Sequence, residues 1–142
     1  PDDVEARAAE TLDEFTRARE IQWEAFRIPA RERAEQRAAM EGIWADRDAP
    51  GAASTFLAWL GGEPVATALA VFADHGALLI GGATLPEARG RGAYRALVRA
   101  RWDEAVRRGT PALVVQAGAM SRPILDRVGF APVCEIEILV DP

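Results

Sequence analysis

The chain has 142 residues and a formal net charge of −5, and 49% of its residues are hydrophobic. This size and balance predict one soluble globular domain, and they argue against a disordered chain or a protein that coats nucleic acid. All 17 basic residues are arginines, so a Schiff-base enzyme and a Walker-type phosphate loop, which both need a lysine, are excluded.

Cysteine and histidine are scarce, with one residue of each type, Cys134 and His75. They cannot build a zinc finger or a histidine-rich metal centre, so we expect no metal. A single cysteine forms no internal disulfide, and no apolar run approaches the roughly 20 residues that cross a membrane. These features predict a cytoplasmic protein without a membrane partner. Because the chain begins with Pro1, we expect one domain over 1–142 that is either whole or cut from a longer or tandem protein.

The N-terminal third predicts a short strand and two helices. Residues 4–8 alternate weakly between apolar and polar, as an edge strand does. Thr11 and Glu14 form a capping-box pattern, and apolar residues then recur at helical spacing, which predicts a helix over 12–27. Pro29 opens a second helix, predicted over 30–46.

The remaining chain predicts strands and helices in alternation. Three strands at 55–60, 65–72 and 77–84 are separated by tight turns, which indicates an antiparallel meander. The later elements are a helix over 93–108 ended by Gly109, a buried strand over 112–117, a short helix over 121–128, and a strand over 132–140 with Cys134, Ile136, Ile138 and Val140 on one face. The order β-αα-βββ-α-β-α-β predicts an α/β fold with a mixed sheet.

A glycine- and arginine-rich loop, Arg89-Gly90-Arg91-Gly92-Ala93, lies between the third meander strand and the long helix. The first N–H groups of a helix have no internal partners, and the helix dipole adds positive charge there. Glycines can adopt φ > 0 and let the backbone approach a ligand closely. This loop can therefore hold a pyrophosphate without lysine or metal. A simple turn is the alternative, whereas an RNA-binding tag or a Rossmann loop needs a context that is absent here.

Two segments together resemble the GNAT family of N-acetyltransferases. Residues 84–97, from Thr84 to Leu97, resemble the acyl-CoA loop of that family, and residues 121–130 resemble its second motif, which ends in Gly-Phe. The resemblance implies a splayed central sheet, acetyl-CoA as cosubstrate and no metal. It implies that cofactor-binding residues are Ala83, Thr84, Leu85, Arg89, Gly90, Arg91, Gly92, Ala93, Tyr94, Arg95 and Ser121.

The Gly81-Gly82 pair in the strand before the loop has two interpretations. It fits a β-bulge or a close backbone approach, and it could equally make room for a core aromatic side chain. Tyr94 replaces the usual small residue of the loop, and we expect it to pack on the core. Ser121 replaces the usual Asn of the second motif, and we favour a helix N-cap over ligand contact for it.

The catalytic residues are not identified by the sequence. Leu125 occupies the position where many members of the family carry a Tyr general acid, and leucine cannot protonate a thiolate. Ser121 is the one candidate for a catalytic residue. We expect Glu87 to be solvated, His75 to lie in a surface turn, Cys134 to be buried, and Gln116 to approach the ligand from its strand end. Water could relay protons in place of these groups.

The leading hypothesis is an acyl-CoA-dependent N-acyltransferase that acts by direct attack of a small-molecule or peptide amine. The alternative is a non-catalytic GNAT-like domain that binds CoA or braces a partner domain, and a nucleic-acid module is disfavoured by the net acidity. A homodimer and a partner GNAT-like domain are the associations left open. The first two helices usually shape the acceptor side in the family, and here they carry Trp23, Phe26, Ile28, Met40, Ile43 and Trp44.

Overall fold

The computed structural model describes residues 3–137 and 139. Its elements are β1 (Val4–Ala8), α1 (Leu12–Ala25), α2 (Ala30–Ala45), β2 (Ala53–Leu60), β3 (Glu63–Ala73), β4 (Gly76–Thr84), α3 (Ala93–Arg107), β5 (Leu113–Val115) and α4 (Arg122–Arg127). The strands form one sheet in the order β1-β2-β3-β4-β5. Neighbouring strands are antiparallel except β4 and β5, which are parallel. The predicted mixed α/β sheet is confirmed.

Helices cover both faces of the sheet because adjacent residues of a strand point to opposite sides. Phe56 contributes to a core cluster with Leu97 of α3, whereas its neighbour Leu57 contributes to a cluster with Ile21 of α1. Both strand residues are buried. A third cluster joins α1 to α2 and is centred on the buried side chains of Phe15, Trp23 and Met40. The sheet therefore separates an α1/α2 side from an α3 side.

The start of α1 is fixed by the predicted cap and by an ion pair to β1. The Thr11 hydroxyl accepts a hydrogen bond from the Glu14 N–H at 3.2 Å, and the Glu14 carboxylate accepts from the Glu10 N–H at 2.8 Å. Arg7 Nη2 donates to Glu14 Oε1 at 2.6 Å. This guanidinium, more than any other group, holds the pKa of Glu14 below its ordinary value of 4.5.

Replacing Glu14 with Gln is expected to reduce the free energy of unfolding at pH 7 by less than about 1 kcal/mol, because Arg7 is partly exposed. A lowered carboxyl pKa stabilises the fold above pH 4.5, and this contribution is lost as the pH falls through the folded value. The difference between wild type and Glu14→Gln should therefore shrink in urea titrations below pH 4.5. A difference that stays constant down to pH 3 would contradict this assignment.

A β-bulge bends β4 at its glycine pair. Leu69 of β3 is paired with Ile80, and Thr67 is paired with Ala83, so the single residue Ala68 opposes both Gly81 and Gly82. Gly81 has φ of +62°, a conformation that L side chains rarely adopt. The bulge prediction is therefore confirmed.

The central strands separate after a short region of pairing. β4 and β5 are hydrogen-bonded only from Ala77 to Leu79 on β4 and from Leu113 to Val115 on β5. Beyond Leu79, β4 continues through the bulge to Thr84, still paired with β3 on one side but with no strand on its β5 side in the described residues. The two strands thus form the open V that was predicted. Because β5 ends where the V opens, it is shorter than the predicted 112–117.

The predicted last strand over 132–140 is wrong for residues 132–137, which form no strand in the structure, while Ile138 and Val140 lie outside the described residues. A strand needs the edge of a neighbouring strand to pair with, and β5, with three residues, provides only a short edge. Cys134 is accordingly exposed, whereas the alternation of apolar residues predicted that it would be buried. Alternation shows which residues share a face, but it does not supply the neighbouring strand.

Candidate acyl-CoA site

The glycine loop turns the chain from β4 into α3 and leaves amides without partners. After a 3-10 turn over Pro86–Ala88, Gly90 and Gly92 have φ of +77° and +93°, so both glycines adopt the predicted left-handed conformation. Gly92 is the N-cap of α3 and supplies no side-chain hydrogen bond to the helix. Within the described chain, five backbone N–H groups of this segment donate no hydrogen bond, namely those of Gly90, Gly92, Ala93, Tyr94 and Arg95. Five free donors at a helix start are an arrangement that suits an anion.

Three exposed arginines surround these amides, namely Arg89, Arg91 and Arg95. Arg91 Nη2 lies 3.8 Å from Asp3 Oδ2, and both side chains are more than half exposed. An exposed ion pair at this distance is weak and screened by salt, so a phosphate can replace the carboxylate at little cost. The loop thus combines aligned amides with mobile positive charges.

Only part of the main chain along the V is available to a ligand. The Leu85 N–H donates to Val65 O at 3.0 Å, and the Leu85 carbonyl accepts from the Ala88 N–H at 3.0 Å. Antiparallel strands direct alternate residues toward and away from the partner, so the N–H and C=O of Thr84 point away from β3 into the V. Thr84 is therefore the residue best placed to pair with an extended ligand.

The two glycines of the bulge contact different elements on opposite sides of the sheet. A Cβ on Gly82 would lie 2.8 Å from Cε2 of Tyr94, so the tyrosine ring occupies the space that a side chain would need. The carbonyl of Gly81 accepts a hydrogen bond from Gln22 Nε2 of α1 at 2.9 Å. The glycine pair therefore serves both interpretations, a bulge and a site for an aromatic ring. Tyr94 packs on the core as expected.

Replacing Gly82 with Ala is expected to destabilise the fold by about 1–3 kcal/mol, because the added methyl group overpacks against Tyr94. The double variant Gly82→Ala/Tyr94→Ala should lose less stability than the sum of the two single changes, since the second change removes the obstacle. Urea denaturation of the four proteins measures this coupling. Strict additivity would show that the ring and the glycine do not compete for one space.

Arg101 of α3 is buried beneath the same region, with 1% of its surface exposed. Its Nε donates to Leu97 O at 3.0 Å and its Nη1 to Leu69 O at 3.1 Å, beside the bulge. Its Nη2 is the buried side-chain donor that finds no partner among the described residues. Burial lowers the pKa of Arg101 to about 10, an effect that the nearby Tyr94 side chain partly offsets. The sequence pattern did not predict that Arg101 is buried, because an arginine in an amphipathic helix is assigned to the polar face.

The other catalytic candidates do not form one cluster at the V, although Gln116 directly follows β5 where the V opens. His75 lies in the turn before β4, nine residues from Thr84, which is about 30 Å along an extended strand. Glu87 and Gln116 are exposed, and Leu125 is 2% exposed. Ser121 is the N-cap residue of α4 as expected, but it makes no side-chain capping hydrogen bond, because its hydroxyl donates to Gly118 O at 3.3 Å. The preceding turn at Gly118 occupies the hydroxyl instead.

The apolar residues of the first two helices divide between core and surface. Trp23 and Met40 are buried, and Ile28 and Trp44 are partly buried against them. Phe26 and Ile43 remain 53% and 46% exposed. Most of this set is therefore core, and two side chains face solvent.

The described residues contain no group of three or more His, Cys, Asp or Glu side chains that could hold a metal ion. Over residues 3–137 and 139, no helix has both the length and the apolar character to cross a membrane.

The fold is an α/β domain whose mixed sheet opens beside a helix start with free amides. Residues 2–120 match the family model of the acetyltransferase (GNAT) domain. The chain belongs to this family. A search of curated protein sequences finds no significant match.

Solved structures of acetyltransferases share this fold at low sequence identity. A Trypanosoma brucei acetyltransferase has a TM-score of 0.73 and 19% identity, over 99% of this chain and 100% of that chain. A predicted acetyltransferase from Clostridium acetobutylicum, solved with acetyl-CoA, has a TM-score of 0.68 and 17% identity, over 96% of both chains. AAC(6')-Iy, solved with the bisubstrate analogue CoA-S-monomethyl-acetylneamine, has a TM-score of 0.71 and 18% identity, over 98% of both chains.

Proposed function

We propose that this protein is an acetyl-CoA-dependent N-acetyltransferase. The observation that carries the proposal is the continuity of two surfaces, the free amides at the start of α3 and the open edge of β4 at Thr84. A pyrophosphate on the amides would direct a pantetheine arm along that edge. The structural neighbour with bound acetyl-CoA and the neighbour with a CoA analogue support this choice of cosubstrate.

The residues present suit such a ligand. Five N–H donors and three arginines provide charge-assisted hydrogen bonds for the pyrophosphate, with the helix dipole adding to them. Thr84 can form main-chain hydrogen bonds to the amides of the arm, as a neighbouring strand would. The thioester supplies an acyl group that an amine attacks directly. The Gly81–Gly82 bulge lies farther along the V from the loop and therefore borders the acyl end.

Proton transfer does not depend on a tyrosine at position 125 in this proposal. Leu125 is buried, so its side chain serves the core. A thiolate is a good leaving group because thiols have a pKa of about 8.5, so water is a sufficient proton donor. The base that accepts the amine proton is likewise assigned to water, since Gln116, which follows the Val115–Leu79 pair next to the bulge, has an amide side chain that is not basic.

The non-catalytic alternative is favoured by one observation, the buried leucine at the position of the usual acid. Calorimetry with acetyl-CoA, followed by thiol release with a panel of amines, separates the two functions. We expect binding and thiol release with at least one amine. Binding without release for any amine would favour the non-catalytic domain, and absence of binding would contradict both proposals.

A further inference from the structure

One guanidinium on α1 is half-buried without a carboxylate. Arg19 Nη1 donates to Gln22 Oε1 at 3.2 Å, and the group lies 5.4 Å from the ring centre of Phe15. Within the described residues, no Asp or Glu oxygen lies within 4.0 Å of it. Burial lowers the pKa of Arg19. Its Nε and Nη2 groups have no acceptor in the described part of the chain.

Arg17 on α1 and Arg101 in the core differ from Arg19 in their polar partners. Arg17 lies two residues before Arg19 on α1, and its Nη1 forms an ion pair with Glu20 Oε2 at 3.7 Å. Arg101, the other arginine whose pKa is lowered, directs two donors to main-chain carbonyls. Within the described residues Arg19 has neither kind of partner, and a partly buried guanidinium gains from a paired anion. Its free donors are therefore available to a ligand.

A chain of hydrogen bonds connects Arg19 to the bulge. Gln22 accepts from Arg19 through Oε1 and donates through Nε2 to the carbonyl of Gly81 at 2.9 Å. The positive φ of Gly81 turns this carbonyl toward α1. The guanidinium thus lies on the α1/α2 side of the sheet, one side chain away from the place where the acyl end would lie.

An exposed apolar strip accompanies this charge on the same face of the sheet. Leu79 packs in the core on the α3 side, so its neighbours Leu78 and Ile80 point to the α1/α2 side. They are 44% and 40% exposed, although they lie in the middle of a strand. Phe26, one turn beyond Gln22 on α1, is 53% exposed. Cationic and apolar surfaces therefore occur together beside the bulge.

We propose that Arg19 binds the carboxylate of the acceptor, and that the acceptor is an α-amino acid with an apolar side chain. This inference rests on the proposed acetyltransferase function. The planar guanidinium offers a carboxylate two parallel hydrogen bonds, and the apolar strip would contact the side chain. A polycationic aminoglycoside would meet an unpaired positive charge and would be disfavoured.

The reaction balances for such an acceptor. The neutral amine nitrogen forms a bond to the thioester carbonyl carbon, the C–S bond breaks, and the sulfur leaves with the electron pair. The nitrogen loses one proton to water and the thiolate gains one from water, giving an N-acetyl amino acid and free CoA. Arg19 acts on the carboxylate and takes no part in proton transfer.

The test compares L-phenylalanine with phenethylamine, which is the same molecule without the carboxylate. Calorimetry measures binding of each to the protein saturated with CoA, which is unreactive, and thiol release measures turnover with acetyl-CoA. Wild type should bind and acetylate phenylalanine at least about 10-fold better than phenethylamine, as one charge-assisted contact predicts. In Arg19→Met this ratio should fall toward one, and Arg19→Lys should retain part of it.

Arg17→Met is the matched control, because Arg17 is a neighbouring arginine already paired with Glu20. It should keep the wild-type ratio. Equal binding of the two ligands to wild type, or a ratio that Arg19→Met and Arg19→Lys leave unchanged, would overturn the proposal. Because the calorimetric arm needs no turnover, selective binding of phenylalanine with no thiol release from it or from any amine of the panel would contradict the enzyme function and still support the carboxylate site.

Discussion

Replacing Gly92 with Asp is expected to weaken acetyl-CoA binding by about 100-fold or more, which is roughly 2.7 kcal/mol. Gly92 has φ of +93° at the N-cap of α3, and the amides of the following residues are free. A carboxylate at this position would occupy the helix start with its own negative charge and repel the pyrophosphate. Calorimetry with acetyl-CoA measures the loss directly.

Gly109→Asp provides the matched control for this change. Gly109 ends the same helix, has φ of +78°, and has nothing within 4 Å of its would-be Cβ. Gly109→Asp therefore introduces similar backbone strain at the other end of α3, far from the amides, and acetyl-CoA binding should not change. Arg91→Ala should weaken binding much less than Gly92→Asp, because its contact with phosphate is exposed to salt. Equal and small effects of Gly92→Asp and Arg91→Ala would contradict the anion site.

Replacing Arg101 with Ala is expected to reduce the free energy of unfolding by about 2–5 kcal/mol, as large-to-small changes in a core do. The variant leaves a cavity between α3 and the sheet and removes the donor to Leu69 O. Arg101→Met should lose much less, because the methionine fills the volume and no unpaired charge is buried. Urea denaturation of the three proteins at pH 7 tests both expectations.

The pH dependence of the Arg101→Met change has a definite sign. Burial places the folded pKa at about 10, below the ordinary value of an arginine, so the unfolded chain binds more protons than the folded chain between these two values. The wild-type fold gains stability from this group only as the pH rises above about 10. The difference between wild type and Arg101→Met should therefore stay constant from pH 6 to 9. A difference that changes across that range would assign the effect to another titrating group.

Much of the fold could be predicted because periodicity and turn residues report local structure. Thr11 starts α1 where the capping pattern indicated, and Gly92 is the last residue before α3. The splay of the V follows from the bulge at Gly81, which the glycine pair suggested. These features depend on residues close together in the chain, which is why a single sequence reveals them.

The parts that could not be predicted depend on distant partners. Residues 132–137 alternate like a strand, but no pattern states whether an edge is available to pair with them. Ser121 precedes a helix as an N-cap would, yet the turn at Gly118 engages its hydroxyl. The candidate acceptor site of Arg19 and Gln22 depends on a hydrogen bond to Gly81, which is 59 residues from Gln22. Only the folded arrangement shows that these side chains meet.

The contact between Gly82 and the Tyr94 ring also limits the order in which this loop could have changed. A tyrosine at position 94 favours glycine at 82, since a Cβ there would lie 2.8 Å from the ring and one of the two side chains would have to shift. A protein with a small residue at 94 could carry a larger side chain at 82, so the path that costs less stability introduces glycine at 82 before tyrosine at 94. Once the tyrosine is present, exchanging glycine at 82 alone carries the loss of stability expected for Gly82→Ala, so the two positions should vary as a pair.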